Sequence, residues 1–507
     1  MSLRVYNTLT GTKEVFEPVR PGKVGIYLCG PTVYKSPHIG HMVGPVIFDA
    51  IKRYLVYKGY AVTWIVNITD IEDKLIDASQ KTGLSVNELA EKYGGEYHEC
   101  LSALGVDTID RFPNASEHLD EIIEMCQTLI ARGHAYASDG NVWFDVTKDP
   151  DYGKLSHRRP EDQESGTRDL AGSGKRSPAD FALWKAAKPG EPQWESPFGA
   201  GRPGWHIECS AMSMKYLGET LDMHGGGMDL LFPHHENELA QSESATGKPF
   251  AKFWLHNGLT RLNTKKISGS DAATAEGAAA RAAVAAKKLI AEHGPELLRY
   301  MLLSTHYRRP IEFTNDVLVA ARKGISTFFR LFERIERLGI QFSNSATKQP
   351  ELSDISVDLL EGENAGFARE VMAFKMKFLE MMDDDFNTAG AIGVLHELAS
   401  AINGSIEQTK VEKEKQADVL RAVGAATQTL RNLGGLLGLF RGKLEVTNES
   451  PAAADGTLDR VMQLLITLRN EARQTKNFAL ADSIRKGLAE IGITLEDRAD
   501  GTGWRKG

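Results

Sequence analysis

Pro37-His38-Ile39-Gly40-His41 sets two imidazoles three positions apart, shortly after an apolar run that ends at Cys29-Gly30-Pro31. If the run is a strand and the histidines open a helix, they stand where free backbone N–H groups and a partial positive charge suit a phosphate. Two imidazoles there can donate hydrogen bonds to an oxyanion that develops during phosphoryl chemistry. Gly40 would let a nucleotide ring come close to the backbone. An isolated histidine pair is more often two surface residues beside a turn, so position alone leaves both readings open.

A second constellation has metal-ligand chemistry. Pro233 suits the first turn of a helix, which puts His234 and Glu238 four apart on one face. Together with Cys29 and Cys209 they make a set of two thiolates, an imidazole and a carboxylate, fit for tetrahedral Zn2+. Two buried thiols and a helix-capping histidine account for the same residues, and the long separations favour that plainer account. Trp205 could wall a small substrate. Asp229 could pair with an ammonium or with ribose hydroxyls, and Gly225-Gly226-Gly227 would bring a ligand against backbone. Taken singly, a core tryptophan and a glycine turn explain these equally well.

These residues need a scaffold. The run 23–28 reads as a buried strand, 40–58 as a helix and 61–68 as a second strand, which together make a βαβ unit and the start of a parallel sheet. The region 84–132 is helical in pattern, and 136–144 reads as a hairpin around Asp139-Gly140. Residues 157–180 are polar and glycine-rich, a surface loop. Strand signals return at 220–223 and 253–255, so the first domain should close near residue 265. Alanine with lysine and arginine makes 272–292 a strong helix former. From 294 to about 440 the pattern is almost wholly helical, with polar breaks at 344–354 and 408–416. A hinge-like stretch, 447–457, precedes a compact tail of about 50 residues.

Composition narrows the class. At 507 residues the chain has room for about three domains, and 42 % hydrophobic with 25 % charged residues is ordinary globular usage. No apolar run approaches the ~20 residues that cross a bilayer, and the first residues lack the apolar core of a signal peptide. The expectation is a cytoplasmic protein without a membrane partner. Four cysteines cannot scaffold a chain of this size, so each is a filler, a ligand or a nucleophile. A net charge of −8 argues against indiscriminate coating of nucleic acid, DNA included, but leaves a local basic face possible.

Several blocks carry a resemblance. Tyr27-Leu28-Cys29-Gly30-Pro31-Thr32-Val33-Tyr34 with the histidine pair is one, and Asn67-Ile68-Thr69-Asp70-Ile71-Glu72-Asp73-Lys74 is another. Gly201-Arg202-Pro203-Gly204-Trp205-His206-Ile207-Glu208-Cys209 and the stretch from His224 to Glu238 complete the set. Together they resemble the class I aminoacyl-tRNA synthetases, most narrowly the cysteinyl-tRNA synthetases, over nearly the whole chain. The resemblance implies an α/β fold with a Rossmann-like parallel-sheet catalytic domain over 1–265, interrupted by an insertion at about 100–200. A connecting, stem-contacting region (266–315), an all-helical bundle (316–445) and a small anticodon-binding domain (457–507) would follow.

The implied activity is ATP-dependent ligation of L-cysteine to its tRNA through a cysteinyl-adenylate, with Mg2+ on the nucleotide. One Zn2+ per chain, on Cys29, Cys209, His234 and Glu238, would select the substrate thiolate. That choice has a physical basis, because coordination favours deprotonation of a thiol over a serine hydroxyl. His38, His41 and Lys266 are the implied catalytic residues. Gly40, Asp229, Lys266 and Ser268 are implied around ATP, and Gly30, Thr69, Trp205 and His224 around the amino acid.

The signature loop departs from the pattern. The family carries Lys-Met-Ser-Lys-Ser where this chain has Lys266-Ile267-Ser268-Gly269-Ser270. Gly269 removes a cation, so either Lys265 or Lys266 substitutes or the loop contributes less. Met382-Asp383-Asp384-Asp385-Phe386-Asn387-Thr388 resembles the family's block in the helical region. The stretch 469–507 carries eight Lys/Arg against six Asp/Glu. Trp504 and its neighbouring arginines would suit stacking and hydrogen bonding to splayed bases. Two rival readings remain: a cysteine ligase acting on an amino sugar, and a catalytically silent tRNA-binding paralogue.

Overall fold

The computed structural model describes residues 2–158, 174–262, 265–266, 284–341, 356–442, 457–498 and 501–506. The chain divides into two compact units, Met1–Glu445 and Val446–Gly507.

Unit one begins with a hairpin, β1 (Arg4–Asn7) and β2 (Thr12–Val15). There follow β3 (Lys23–Leu28), α1 (Ile39–Tyr57), β4 (Ala61–Val66), α2 (Asp73–Thr82), α3 (Val86–Ala103) and α4 (Leu119–Ala131). Next come β5 (Ala135–Ser138), β6 (Asn141–Phe144), β7 (Phe181–Ala186), β8 (Gly201–Pro203) and α5 (Trp205–Leu217). Then come β9 (Leu221–Gly227), α6 (Glu236–Thr246) and β10 (Ala251–Asn257). The central sheet has the order β10-β9-β3-β4, and every pairing in it is parallel. Its strands are apolar on both faces, with Ile26, Tyr27, Trp64, Ile65, Met223 and Trp254 buried, as a sheet covered on both sides requires.

The hairpin expected at 136–144 is present as β5 and β6, and β7 and β8 extend it into a separate antiparallel sheet. This sheet sits in the chain between β4 and β9. It delivers β8 directly into Gly204, the residue that caps α5. A side chain at Gly204 would put its Cβ 1.9 Å from the Ala182 carbonyl oxygen, so only glycine lets α5 start so close to β7.

Beyond β10 the chain is not wholly helical. Thr260–Leu262 pairs with Lys265–Lys266 and with Ile311–Phe313 in a small sheet. Of the helix expected over 272–292, residues 272–283 lie outside the described residues, and Ala286–His293 is helical. Helices Pro295–Leu303, Asn315–Arg337, Ala365–Asp383, Thr388–Thr409 and Ala417–Leu436 follow. In Asn315–Arg337 the buried residues Leu318, Ala321, Ile325, Phe328, Phe332 and Ile335 recur at helical spacing, which explains both the helix and its packed face. One hydrophobic core runs from Val46 through Leu298 to Leu398 and Leu430, so the expected segments 1–265, 266–315 and 316–445 pack around shared apolar contacts.

The block Asp383-Asp384-Asp385 fastens this helical part to the sheet part. Asp383 accepts from Tyr54 Oη at 2.7 Å and pairs with Lys58, just beyond the end of α1. Asp384 pairs with Lys13 of β2. Fully buried Asp385 accepts from the Tyr6 amide, Tyr307 Oη and Arg308 Nε at 2.7–2.8 Å. Asp385 and Phe386 have φ of 64° and 50°, the left-handed region that costs a non-glycine residue ~1–2 kcal/mol each. The three bonds to Asp385 offset that cost.

Unit two holds helices Thr457–Gln474 and Phe478–Glu490 and a hairpin, Ile493–Arg498 with Gly501–Lys506. Met462, Ile466, Leu488, Ile493 and Leu495 form its core. The sequence reading gave this stretch only as a compact tail, without assigning its elements.

Candidate active site and metal centre

β3 and β9 end side by side, and both site constellations sit at their carboxyl ends, where ligands bind in open α/β sheets. Cys29 directly follows β3, and its amide donates to the Gly225 carbonyl of β9 at 3.0 Å. Cys209 comes from the second turn of α5. His234 lies in the irregular turn Leu231–His235, and Glu238 lies in the first turn of α6.

These four residues, scattered over 209 positions, place one donor atom each within 4.8 Å of one another. A zinc tetrahedron with Zn–S of about 2.3 Å and Zn–N of about 2.0 Å has an S···S edge of about 3.8 Å and an S···N edge of about 3.5 Å. Cys29 Sγ is 3.8 Å from Cys209 Sγ and 3.6 Å from His234 Nε2. The Cys29–Glu238 contact is 3.3 Å. Only the His234–Glu238 contact, at 2.8 Å, is a hydrogen bond that must open to admit an ion. The donor set fits a zinc ion.

Electrostatics agree with that fit. Burial pushes the Cys29 thiol up. Burial acts on Cys209 in the same sense, but the hydrogen bond from Cys29 and the neighbouring His234 overcome it and bring Cys209 down to about 6. Cys29 Sγ donates toward Cys209 Sγ, the thiol whose ionisation the cluster favours. Glu238 is held well below the usual carboxylate range against its burial, by the charges of His224 and His234. The pocket therefore already stabilises anionic ligands.

The outer partners are histidines. His224 Nε2 meets Glu238 Oε2 at 2.7 Å, leaving Oε1 toward the cysteines. His206 Nδ1 meets His234 Nδ1 at 2.9 Å, so His234 is turned with Nε2 toward Cys29. Burial holds His206 well below its ordinary pKa, which makes it the neutral acceptor. Cys29, His224, His235 and Glu238 also bring donors within 4.8 Å, an overlapping group that shares two of the four ligands. It lacks a second thiolate and so fits zinc less well.

Beside this cluster opens a cleft of about 330 Å3 whose wall includes Cys29, Gly30, His38, Gly40, His41, Trp205 and Asp229. Trp205 belongs to both places. Its ring stacks on His234 at 4.2 Å, and Lys74 Nζ lies 5.7 Å from its centroid. The histidine pair caps α1: His38 Nδ1 accepts from the Gly40 amide at 3.1 Å and His41 Nδ1 from the His38 amide at 3.4 Å. The rings stack 3.8 Å apart. With both Nδ1 atoms accepting, each neutral ring carries its proton on Nε2. Burial, reinforced by the nearby Lys35 ammonium, keeps His41 well below its ordinary pKa. It is a neutral donor.

Other expected residues sit elsewhere. Thr69 and His224 are buried behind the cleft rather than lining it, Thr69 donating to Glu208 at 3.2 Å. Gly30 is forced by packing, because a Cβ there would lie 1.7 Å from the Asn67 carbonyl oxygen. The glycine run serves the core as much as any ligand. Gly225 makes room for Phe48 and Gly226 for His235, and only Gly226 and Gly227 reach the cleft. Lys266 is placed by its backbone in the small sheet whose Thr260 lines the cleft. Ser268, Gly269 and Ser270 lie outside the described residues.

Residues 15–323 match the family profile described as tRNA synthetases class I (C) catalytic domain, and residues 377–441 match the DALR domain. The chain is 45 % identical to a cysteine–tRNA ligase of Syntrophotalea carbinolica and 42 % identical to one of Geobacter sulfurreducens, each over 100 % of both chains. Among solved structures it is similar to Mycobacterium tuberculosis methionyl-tRNA synthetase in complex with methionyl-adenylate. That match has a TM-score of 0.60 and 14 % identity, and covers 85 % of this chain and 95 % of that one. It is also similar to a putative arginyl-tRNA synthetase from Campylobacter jejuni, with a TM-score of 0.53 and 12 % identity over 84 % and 95 %. At such identities these two speak for the fold alone.

Proposed function

The chain belongs to the class I cysteine–tRNA ligases, and on that premise we propose how its residues divide the work of charging tRNA with L-cysteine. In the first step the cysteine carboxylate attacks the α-phosphorus of ATP. A C–O–P linkage forms, and pyrophosphate leaves with the electron pair of the broken P–O bond. In the second, a terminal hydroxyl of the tRNA attacks the acyl carbon and AMP departs. No protein nucleophile is needed. Rate comes from positioning and from preorganised donors.

His38 and His41 offer two Nε2–H groups, fixed because the backbone occupies the other nitrogen of each ring. They hydrogen-bond the nucleotide phosphates, and the amino end of α1 adds its own partial charge. Lys266 acts from the edge of the small sheet. Asp229, on the cleft wall, takes the substrate ammonium or the ribose hydroxyls. Trp205 flanks the amino acid.

Cys29, Cys209, His234 and Glu238 would hold one zinc ion, which supplies a soft acceptor that distinguishes a thiolate from a hydroxyl. A methylene alone is worth only ~1–3 kcal/mol in an apolar pocket, so size exclusion could not perform that selection. Thr69 and His224 serve from behind, His224 by orienting Glu238. The segments 1–265 and 266–315 are assigned to catalysis and stem contact. The helical bundle 316–445 and the tail 457–507 are assigned to support and anticodon reading, all in the cytoplasm.

The observation that carries this reading is the convergence of two thiols, an imidazole and a carboxylate at the wall of a histidine-lined cleft. The test is cysteine-dependent ATP–pyrophosphate exchange followed by tRNA charging, with serine in parallel. Exchange and charging with cysteine, and neither with serine, are expected. Exchange without charging would instead indicate a cysteine ligase with another acceptor.

A further inference from the structure

The cleft must receive a polyanion, yet its two histidines are neutral donors. Among the described side chains its wall carries two full cations, Lys35 and Lys74, and no arginine. Lys74 belongs to the metal-centre end, where its ammonium lies over the Trp205 ring that stacks on His234.

Lys35 belongs to the other end. It stands in the same short loop as His38, its ammonium lies 4.6 Å from the centroid of the Tyr34 ring, and its nitrogen is buried within the cleft wall. Its charge is close enough to depress the His41 imidazole. The loop is also held from behind. The Ile39 amide donates to the Val284 carbonyl and the Ala286 amide to the Pro37 carbonyl, both at 2.9 Å. These bonds hold the backbone two and four residues beyond Lys35, whose buried nitrogen lies against the Tyr34 ring. Loop tethering, the aromatic face and the two neutral donors define one compact anion seat with a single described cation.

We propose that Lys35 is a catalytic residue that contacts the triphosphate of ATP at the histidine end of the cleft and stabilises the charge that builds on the leaving pyrophosphate. The assignment rests on the adenylation reading given above. No proton need move. The bond to the α-phosphorus forms from the carboxylate, the bond to pyrophosphate breaks with its electron pair, and Lys35 balances the charge that departs. This chain thereby gains a cation on the amino side of α1, whereas Gly269 leaves one out of the later signature loop.

The experiment compares the full-length wild-type protein with Lys35→Gln, Lys35→Met and Lys35→Arg. It measures cysteine-dependent ATP–pyrophosphate exchange, zinc content and the KM for cysteine. Gln and Met should lower kcat for exchange about 10²-fold, the scale of losing one preorganised donor to a developing anion, with zinc content and cysteine KM unchanged. Arg, which keeps the charge, should lose clearly less activity than Gln or Met. Exchange within about twofold of wild type in a zinc-replete Gln or Met variant would overturn the proposal. So would an Arg variant as slow as Gln. Absence of exchange in the wild-type protein would instead overturn the adenylation reading itself.

Discussion

Glu238 shows how finely one side chain is divided between two tasks. One carboxylate oxygen faces Cys29 and His234, and the other is taken by buried His224. Outer partners of this kind are typically worth 10–100-fold in metal affinity. His224→Ala should therefore weaken zinc binding by about that factor while leaving all four ligands in place, as competition with a chromophoric chelator would read. Unaltered affinity would mean that Glu238 is held by other contacts. The ligand types were legible in the sequence, since thiols, an imidazole and a carboxylate are what zinc prefers. Their convergence was not, because Cys29 and Cys209 are 180 positions apart and spacing rules reach only across a turn or two. His206 was missed although a signal existed. It precedes Cys209 by three positions in a helical stretch, which puts both on one face of α5.

At the scale of elements, the short block Asp383-Asp384-Asp385 does more than its length suggests. Each carboxylate reaches a different part of the sheet-bearing half: α1, β2, and the Tyr6 and Arg308 neighbourhood. The sequence marked this stretch as notable but could not say what it holds, since its partners lie far away along the chain. Asp385→Ala would strip a buried carboxylate from Arg308, Tyr307 and the Tyr6 amide. Removing one partner of a buried ion pair typically costs several kcal/mol, and about 3 kcal/mol is expected here because Arg308 keeps some access to water. A lowered urea midpoint for unit one would show it, and a loss under about 1 kcal/mol would argue that the positive φ at Asp385 and Phe386 has been relieved in compensation.

Other elements were legible for local reasons. The βαβ start and the 136–144 hairpin follow from apolar runs and a two-residue turn that their own residues specify. The closing hairpin carried the same kind of signal in Asp500-Gly501, with Ile493 and Leu495 on one buried face. It was overlooked because Glu496, Asp497 and Arg498 break the alternation directly after Leu495.

At the scale of the molecule, the candidate chemistry sits within one of the two compact units. Every residue of the cleft and of the ligand quartet lies in Met1–Glu445. A chain ending at Glu445 should therefore keep cysteine-dependent exchange within about twofold and lose tRNA charging at least tenfold, about 1.4 kcal/mol of transition-state stabilisation. Parallel assays of both steps on the shortened and full chains would check this, and equal losses in the two would tie the units together mechanically.

The span of the ligand quartet also has a consequence for how the protein is made. Cys29 leaves the ribosome 209 residues ahead of Glu238. At ~5–20 residues per second it waits roughly 10–40 s for its last companion to be synthesised. A metal held by all four residues could therefore bind only after Glu238 has been synthesised. Until then the early thiol waits as an exposed, unpartnered nucleophile on the nascent chain.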